Sequence, residues 1–365
     1  MKRLLFCAVL IILSVFTSCD DMYNDAFSDN KSSVKYYGYV TTTNSLYSYA
    51  ILEDGSFQQI GSPVTGLTLP RRISVHPSGD YIYVAVRNSI LCYKVGDDGA
   101  LTPLTPLINT IENENMAVHP SGKYLYAINT TNSFCTYNIN QDGSLVYNST
   151  TVDAGTNIFN RGIAISPSGI IVFASKAITV ATVSCQRIYS YVVGNNGMLT
   201  EVSFLDTANV VKNIIVHHSG NYLYCITSST MMSMNIHQDG SLTLINDLPI
   251  AGTGTCDIIL HPSNKYLYGT NSAAPLTFSN FGIMNNGALL QISQNSDIPA
   301  SSKNFISVHP NGKYVYFADR STNSSLICFT ADSAGSLAYN MMTAKTAELP
   351  IDIKIVSKRV FGENK

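Results

Sequence analysis

One phrase recurs along this 365-residue chain: a short apolar run, a His-Pro-Ser-Gly turn and a Tyr-x-Tyr pair. It reads ISVHPSGDYIY at 73–83, MAVHPSGKYLY at 116–126 and IAISPSGIIVF at 163–173. It returns as IIVHHSGNYLY at 214–224, IILHPSNKYLY at 258–268 and ISVHPNGKYVY at 306–316. The equivalent positions His76, His119, Ser166, His217, His261 and His309 are 43, 47, 51, 44 and 48 residues apart. A period of about 40–50 residues built from short strands marks a unit that buries its faces only against copies of itself, and at this length that unit is a propeller blade.

Between the copies lies a second signal, an alternating strand closed by a tight turn: LYSYAILEDGS, ILCYKVGDDGA, SFCTYNINQDGS, RIYSYVVGNNGM, SMNIHQDGS, FSNFGIMNNGA and LICFTADSAGS. Most of these turns carry Asp-Gly or Asn-Gly, which adopt positive φ cheaply and close hairpins. Seven hairpins face six phrases, and the seventh phrase is found at the carboxyl end. There LPIDIKIVSKRVF places Ser357 48 residues after His309, with the Pro-Ser-Gly turn lost. Each blade then reads as strand A into the His-Pro-Ser-Gly turn, strand B with Tyr-x-Tyr, strand C into the glycine turn, and strand D. The amino end supplies B, C and D of blade 1, and the carboxyl end supplies its A strand. The expectation is an all-β, seven-bladed propeller of four-stranded blades, with no free sheet edge where the termini meet.

The first residues read differently. Met1-Lys2-Arg3, an apolar run from Leu4 to Phe16 and Thr17-Ser18-Cys19 have the form of a secretory signal whose Cys19 is lipidated; the run is too short to span a bilayer as a mature helix. The organisation expected is a signal at 1–18, a lipidated Cys19 with a polar tether at 19–34, and the propeller at 35–365. The protein would then sit in a bacterial cell envelope, held on the outer membrane by acyl chains alone. Net charge of −2 favours neither nucleic acid nor an anionic membrane surface. Beyond Cys7 and Cys19, six cysteines remain (92, 135, 185, 225, 256 and 328), most of them reading as small buried apolar residues rather than bridges. No Cys/His spacing suggests a metal, and no motif implies a cofactor.

The repeated turns all fall on one face of the ring. The variable A-strand entries and B–C connections fall on the other, where a rigid scaffold displays binding residues. The longest B–C connection is the loop expected at 175–187 in blade 4. At the strand A entries stand Arg71-Arg72, Glu114-Asn115, Arg161-Gly162, Lys212-Asn213, Cys256-Asp257, Asn304-Phe305 and Asp352-Ile353. Arg87, Arg187 and Arg320 fall beside the ends of B strands. In a chain with only 13% charged residues, this clustering suggests an arginine-lined mouth able to grip carboxylate or phosphate bidentately. The competing reading is that the same arginines pair with Glu114, Asp257, Asp319 and Asp352 to hold loops. The phrase histidines read as turn scaffold, and the Tyr-x-Tyr pairs as sheet packing.

The phrase HPSGKYLYAIN with a following Asp-Gly-Ser-Leu resembles the bacterial 6-phosphogluconolactonase type of seven-bladed propeller, over essentially residues 36–357. The resemblance implies a lactone-hydrolysing site on the fourth and fifth blades. Where that family has a His before strand A of blade 4, this chain has Arg161. Its Asp-Arg-Ile motif is Gln186-Arg187-Ile188, its Pro-Arg-His is Val211-Lys212-Asn213, and its Asn-Glu is Thr227-Ser228. The cations survive, whereas the His and Glu able to move protons do not. The expectation is therefore binding of a small anionic, sugar-acid or glycan ligand at the mouth, through Arg71, Arg72, Arg87, Glu114, Arg161, Arg187, Lys212, Asn213, Asp257 and Arg320. Two alternatives stay open: an extracytoplasmic lactone hydrolase, and a scaffold that docks a protein partner through the 175–187 segment.

Overall fold

The structure is a computed structural model that describes residues 32–109, 113–129, 133–152, 162–180, 183–250, 255–271, 278–295, 305–320 and 324–361. The signal, Cys19 and nearly all of the tether lie outside them. Seven antiparallel sheets form the blades, six of four strands in the order A-B-C-D. Blade 1 joins the carboxyl-terminal strand Pro350–Phe361 to Ser32–Thr42, Ser45–Ile51 and Phe57–Gln59, which closes the ring as the two unmatched signals require. The A strands of successive blades lie against one another around the axis.

Two details differ from the sequence reading. The seventh phrase position is Val356, not Ser357: Val356 pairs with Tyr37, as His76 hydrogen-bonds across to Tyr81. Without the Pro-Ser-Gly turn no residue pins the register, and spacing alone misplaces it by one. The segment at 175–187 is also not a loop. Strands Ile171–Val180 and Val183–Val193 continue as a ribbon down to Val180 paired with Val183. Ile178, Thr179 and Val180 are β-branched and stiff at χ1, which suits a pleated ribbon better than an irregular connection.

The core is a set of layers, one between each pair of neighbouring blades. In six blades a large aromatic in the phrase (Tyr39, Tyr83, Tyr126, Tyr224, Tyr268, Tyr316) is buried, with Phe173 at that place in blade 4. Each stands opposite a compact C-strand residue: Ser48, Cys92, Thr136, Ser233, Asn280, Cys328, and Ser190 facing Phe173. A small partner leaves room for the ring in a close-packed interior. Cys92, Cys135, Cys225 and Cys328 are free and buried, as expected of apolar packing residues; the side chains of Cys185 and Cys256 lie outside the described part.

The phrase also latches blade to blade. Nε2 of His76 and His119 donates to the carbonyl oxygens of Gly122 and Gly169 in the next blade, at 3.1 and 2.8 Å. His217 and His261 do the same to Asn264 and Gly312. Each ring's Nδ1 accepts from the turn serine two residues on, which fixes Nε2 as the protonated nitrogen. The first tyrosine of the pair reaches the next blade's glycine turn, as Tyr81 does to the Gln141 carbonyl oxygen. That turn needs glycine twice over, since Gly143 has φ +80° and a methyl there would run into the Tyr81 ring. The histidines are scaffold, and the tyrosines are packing.

Candidate functional site

Each A strand begins at the face bearing the variable loops, so residues four before the phrase position form one level at the channel mouth. With the corrected register these are Arg72, Asn115, Gly162, Asn213, Asp257, Phe305 and Asp352. Strand pleating turns Asn213, Asp257 and Asp352 toward the following blade. Asp257 accepts from the Ile306 backbone NH of blade 7, and Asp352 from the Ile73 NH of blade 2. Each also accepts from the NH of its own next residue, Ile258 or Ile353. Asn213 donates to Asp257 Oδ1 at 2.5 Å. These bonds compensate two carboxylates that are 2% and 0% exposed.

Arg72 lies across this level. It springs from blade 2, yet its guanidinium stands 3.8 Å from Asp257 Oδ2 of blade 6 and 3.7 Å from Asp352 Oδ1 of blade 1. Its Cζ sits 4.1 Å from the centre of the Phe305 ring of blade 7. The side chain therefore reaches across the mouth, over one aromatic ring and between two acids. Its Nη1 thus makes the two ion pairs that the competing reading expected of the mouth arginines, with the side chain 11% exposed, and among the described residues the guanidinium makes no hydrogen bond within 3.5 Å. Lys354, 3.6 Å from Asp352, balances the second acid.

The other expected residues scatter. Arg187 is on strand C of blade 4, two strands out from the axis, where it bonds Asp206 at 2.5 Å and stacks 3.8 Å from the Phe204 ring centre. Its guanidinium is held above its usual range by that bond to Asp206. Arg87 is exposed at a two-residue B–C turn. Arg71 accepts a hydrogen bond from Thr41 at its carbonyl and keeps its side chain half-buried beside the mouth. Lys212 and Arg320 are half-buried and engaged. Arg161 and the side chain of Glu114 lie outside the described part. Of the residues expected at the site, the structure thus gathers Arg72, Asn213 and Asp257 into one network and leaves Arg187 and Arg87 apart from it.

Sequence reasoning passed over several members. Asp352 and Phe305 were visible at the strand entries, but only the corrected register puts Asp352 level with Asp257. Lys176, within strand B of blade 4, and Asp319, at the end of strand B of blade 7, are 4% and 0% exposed; Lys176 lies 5.7 Å from the Tyr189 ring centre. Where the resemblance implies Asn-Glu after strand B of blade 5, Thr227 stands at the Asn place with its hydroxyl bonded to Thr230, and Ser228 stands at the Glu place with its NH donating to the Val210 carbonyl oxygen. Among the described residues no group of three or more His, Cys, Asp or Glu is arranged to hold a metal ion.

Residues 177–294 match the family described as Lactonase, 7-bladed beta-propeller. No curated protein sequence matches the chain significantly. Similar solved structures include a candidate 6-phosphogluconolactonase of Bacteroides uniformis, 18% identical with a TM-score of 0.76, covering 88% of this chain and 99% of that one. A second such protein, from Bacteroides fragilis, is 19% identical with a TM-score of 0.74, covering 88% and 98%. The periplasmic gluconolactonase of Pseudomonas aeruginosa is 16% identical with a TM-score of 0.75, covering 89% and 99%. At such identities the likeness carries fold alone. In fold the chain is a seven-bladed β-propeller, and over residues 177–294 it is similar to the lactonase family of such propellers.

Proposed function

We propose that this propeller is a cell-envelope lipoprotein that binds a small sugar acid, or a related anionic sugar, at the mouth centred on Arg72, and that it does not hydrolyse lactones. The observation that carries the reading is the guanidinium of Arg72, held over Phe305 and at ion-pair rather than hydrogen-bond distance from the two acids, so that its N–H fork can turn to an incoming anion. A planar fork of this kind matches a carboxylate or phosphate bidentately.

Hydrolysis would need a group to take a proton from water and donors for a tetrahedral oxyanion. Arg72 suits the second task. For the first, the nearest carboxylates are Asp257 and Asp352, and both are already occupied by backbone NH groups and Arg72. The hydrolase reading is favoured by one observation, the likeness in fold to a periplasmic gluconolactonase.

The anchor fits this orientation. Strand B of blade 1 starts at Ser32 on the turn face and runs toward the mouth face. A lipid on Cys19, thirteen residues upstream, would lie within about 45 Å of that point and leave the mouth facing away from the membrane.

A thermal-shift screen with D-gluconate, D-glucuronate, D-galacturonate and 6-phosphogluconate tests the binding reading. Wild type should rise by several degrees with at least one of them, and Arg72→Lys should lose most of that rise while keeping its own midpoint. No rise with any sugar acid, or equal rises in both proteins, refutes the reading. Hydrolysis of δ-gluconolactone or 6-phosphogluconolactone above the buffer rate would establish the hydrolase instead.

A further inference from the structure

In one blade the phrase histidine is present but its latch is missing, and a cavity lies there. In four blades the phrase histidine donates through Nε2 to a carbonyl oxygen in the next blade's A–B turn. After blade 7 the next blade is blade 1, whose A and B strands come from opposite ends of the chain and share no turn. His309 therefore has no such carbonyl. Its Nδ1 accepts from the Asn311 backbone NH at 3.1 Å, which leaves Nε2 as the protonated nitrogen. Among the described residues Nε2–H has no hydrogen-bond partner, although His309 is only 3% exposed. Tyr36 packs against the ring instead, with centroids 4.1 Å apart. With no protein partner, this donor is left for an occupant of the space that His309 lines.

His309 lines a cavity of about 690 Å³ on the turn face, running from the blade 7 turn past the open end of blade 1. Its walls include Tyr36, Tyr37 and Tyr314, and its rim Glu53 and Asp98. The hydroxyls of Tyr37 and Tyr314 are already spent on the carbonyl oxygens of Asp97 and Glu53, so these rings offer carbon to an occupant. Leu52, at the rim, is an exposed apolar residue. The volume falls in the range of small-molecule sites, about 300–1,000 Å³.

We propose that this cavity is a second binding site, for a neutral sugar of one or two rings. Three features select that class. The aromatic walls match the apolar C–H face of a pyranose. The unpaired His309 Nε2–H can donate to one acceptor such as a ring or carbonyl oxygen. The two rim carboxylates accept hydroxyl protons and, against one lysine (Lys35), disfavour an anion. The preference is opposite to that of the mouth, and the proposal does not depend on the mouth's reading.

Saturation-transfer NMR tests it with the methyl β-glycosides of glucose and galactose, N-acetylglucosamine and maltose as probes, each at about 10 mM to reach millimolar affinities. At least one should receive transfer on its ring protons in wild type. Tyr36→Ala and His309→Phe should each cut that transfer at least about fivefold, as expected when one wall or the unpaired ring donor is removed. Leu52→Arg blocks the rim from an exposed position and keeps the test valid should the buried substitutions unfold the blade. Arg72→Lys should leave the transfer unchanged. Absence of transfer with every probe, transfer that survives Leu52→Arg, or transfer lost in Arg72→Lys overturns the proposal.

Discussion

The second tyrosine of the repeated pair offers a test of the fold's energetics with its own control. Tyr39, Tyr83 and Tyr126 donate to the carbonyl oxygens of Gly99, Gly143 and Gly197 in the next blade, at 2.9, 3.1 and 3.0 Å. Tyr224, Tyr268 and Tyr316 occupy the same place with buried hydroxyls that have no hydrogen-bond partner among the described residues. At Tyr268 the cause is visible: Asn280 Nδ2 takes the Gly335 carbonyl oxygen, at 3.3 Å, that the hydroxyl would use. Tyr126→Phe removes a buried bond and orphans the Gly197 carbonyl, which costs about 1–3 kcal/mol. Tyr224→Phe removes an orphan hydroxyl and should be neutral, or stabilising by about 1 kcal/mol. Phe173 fills the equivalent place in blade 4, so ring volume is not at issue. The pair should then differ by about 2 kcal/mol, which is about 4 °C in midpoint for a chain of this length. Urea midpoints at constant m, backed by calorimetry, measure it. Equal losses in the two variants, or a larger loss in Tyr224→Phe, would refute the latch argument.

Further outcomes follow from the same geometry. Burial raises the proton affinity of Glu348, but hydrogen bonds from Thr42, Ser45, the Asn44 NH and Thr43 outweigh it and hold the carboxyl below its usual range. Its contribution is thus present above the unfolded value near 4.5 and lost as pH falls through the folded one. Glu348→Gln should lower stability at pH 7 and flatten the acid limb of the stability curve; an unchanged acid limb contradicts this. Burial pushes the Cys92 thiol up to about 12 and Cys328 up to about 11, and raises Cys225 further. Iodoacetamide should therefore leave these three unlabelled until the protein unfolds, and rapid native labelling would show the layers between blades to be open. Gly143→Ala, at φ +80° and against the Tyr81 ring, should destabilise by more than about 1 kcal/mol, which thermal unfolding reads directly.

Fold was legible in the sequence because a repeated unit states each constraint several times. Six copies of the phrase and seven glycine turns overdetermine the blade count, so the loss of one turn at the carboxyl end did not hide the seventh blade. The register of that blade was stated once and weakly, and there the reading slipped by one residue, from Val356 to Ser357. The 175–187 segment misled for a related reason, since insertion length marks an excursion but only residue-level β preference separates a ribbon from a loop.

The candidate site was less legible because it depends on what faces what across a channel. Spacing placed Arg72, Asn213 and Asp257 at strand entries, but only the ring's closure sets Arg72 of blade 2 against Asp257 of blade 6. Arg187 looked equivalent by sequence, yet it belongs to strand C and satisfies itself against Asp206 and Phe204. The cavity beside His309 is an absence, the missing carbonyl of a turn that blade 1 does not have. A lost motif in the seventh phrase was its only trace.

The account rests most heavily on Arg72 as the anchor of a ligand at the mouth. A crystal structure of the protein soaked with a sugar acid that raises its melting midpoint tests this directly. The account predicts the ligand's carboxylate or phosphate in bidentate contact with the Arg72 guanidinium, at the level of Asn213, Asp257 and Phe305. Ligand density elsewhere on the ring, with Arg72 untouched between Asp257 and Asp352, would contradict it.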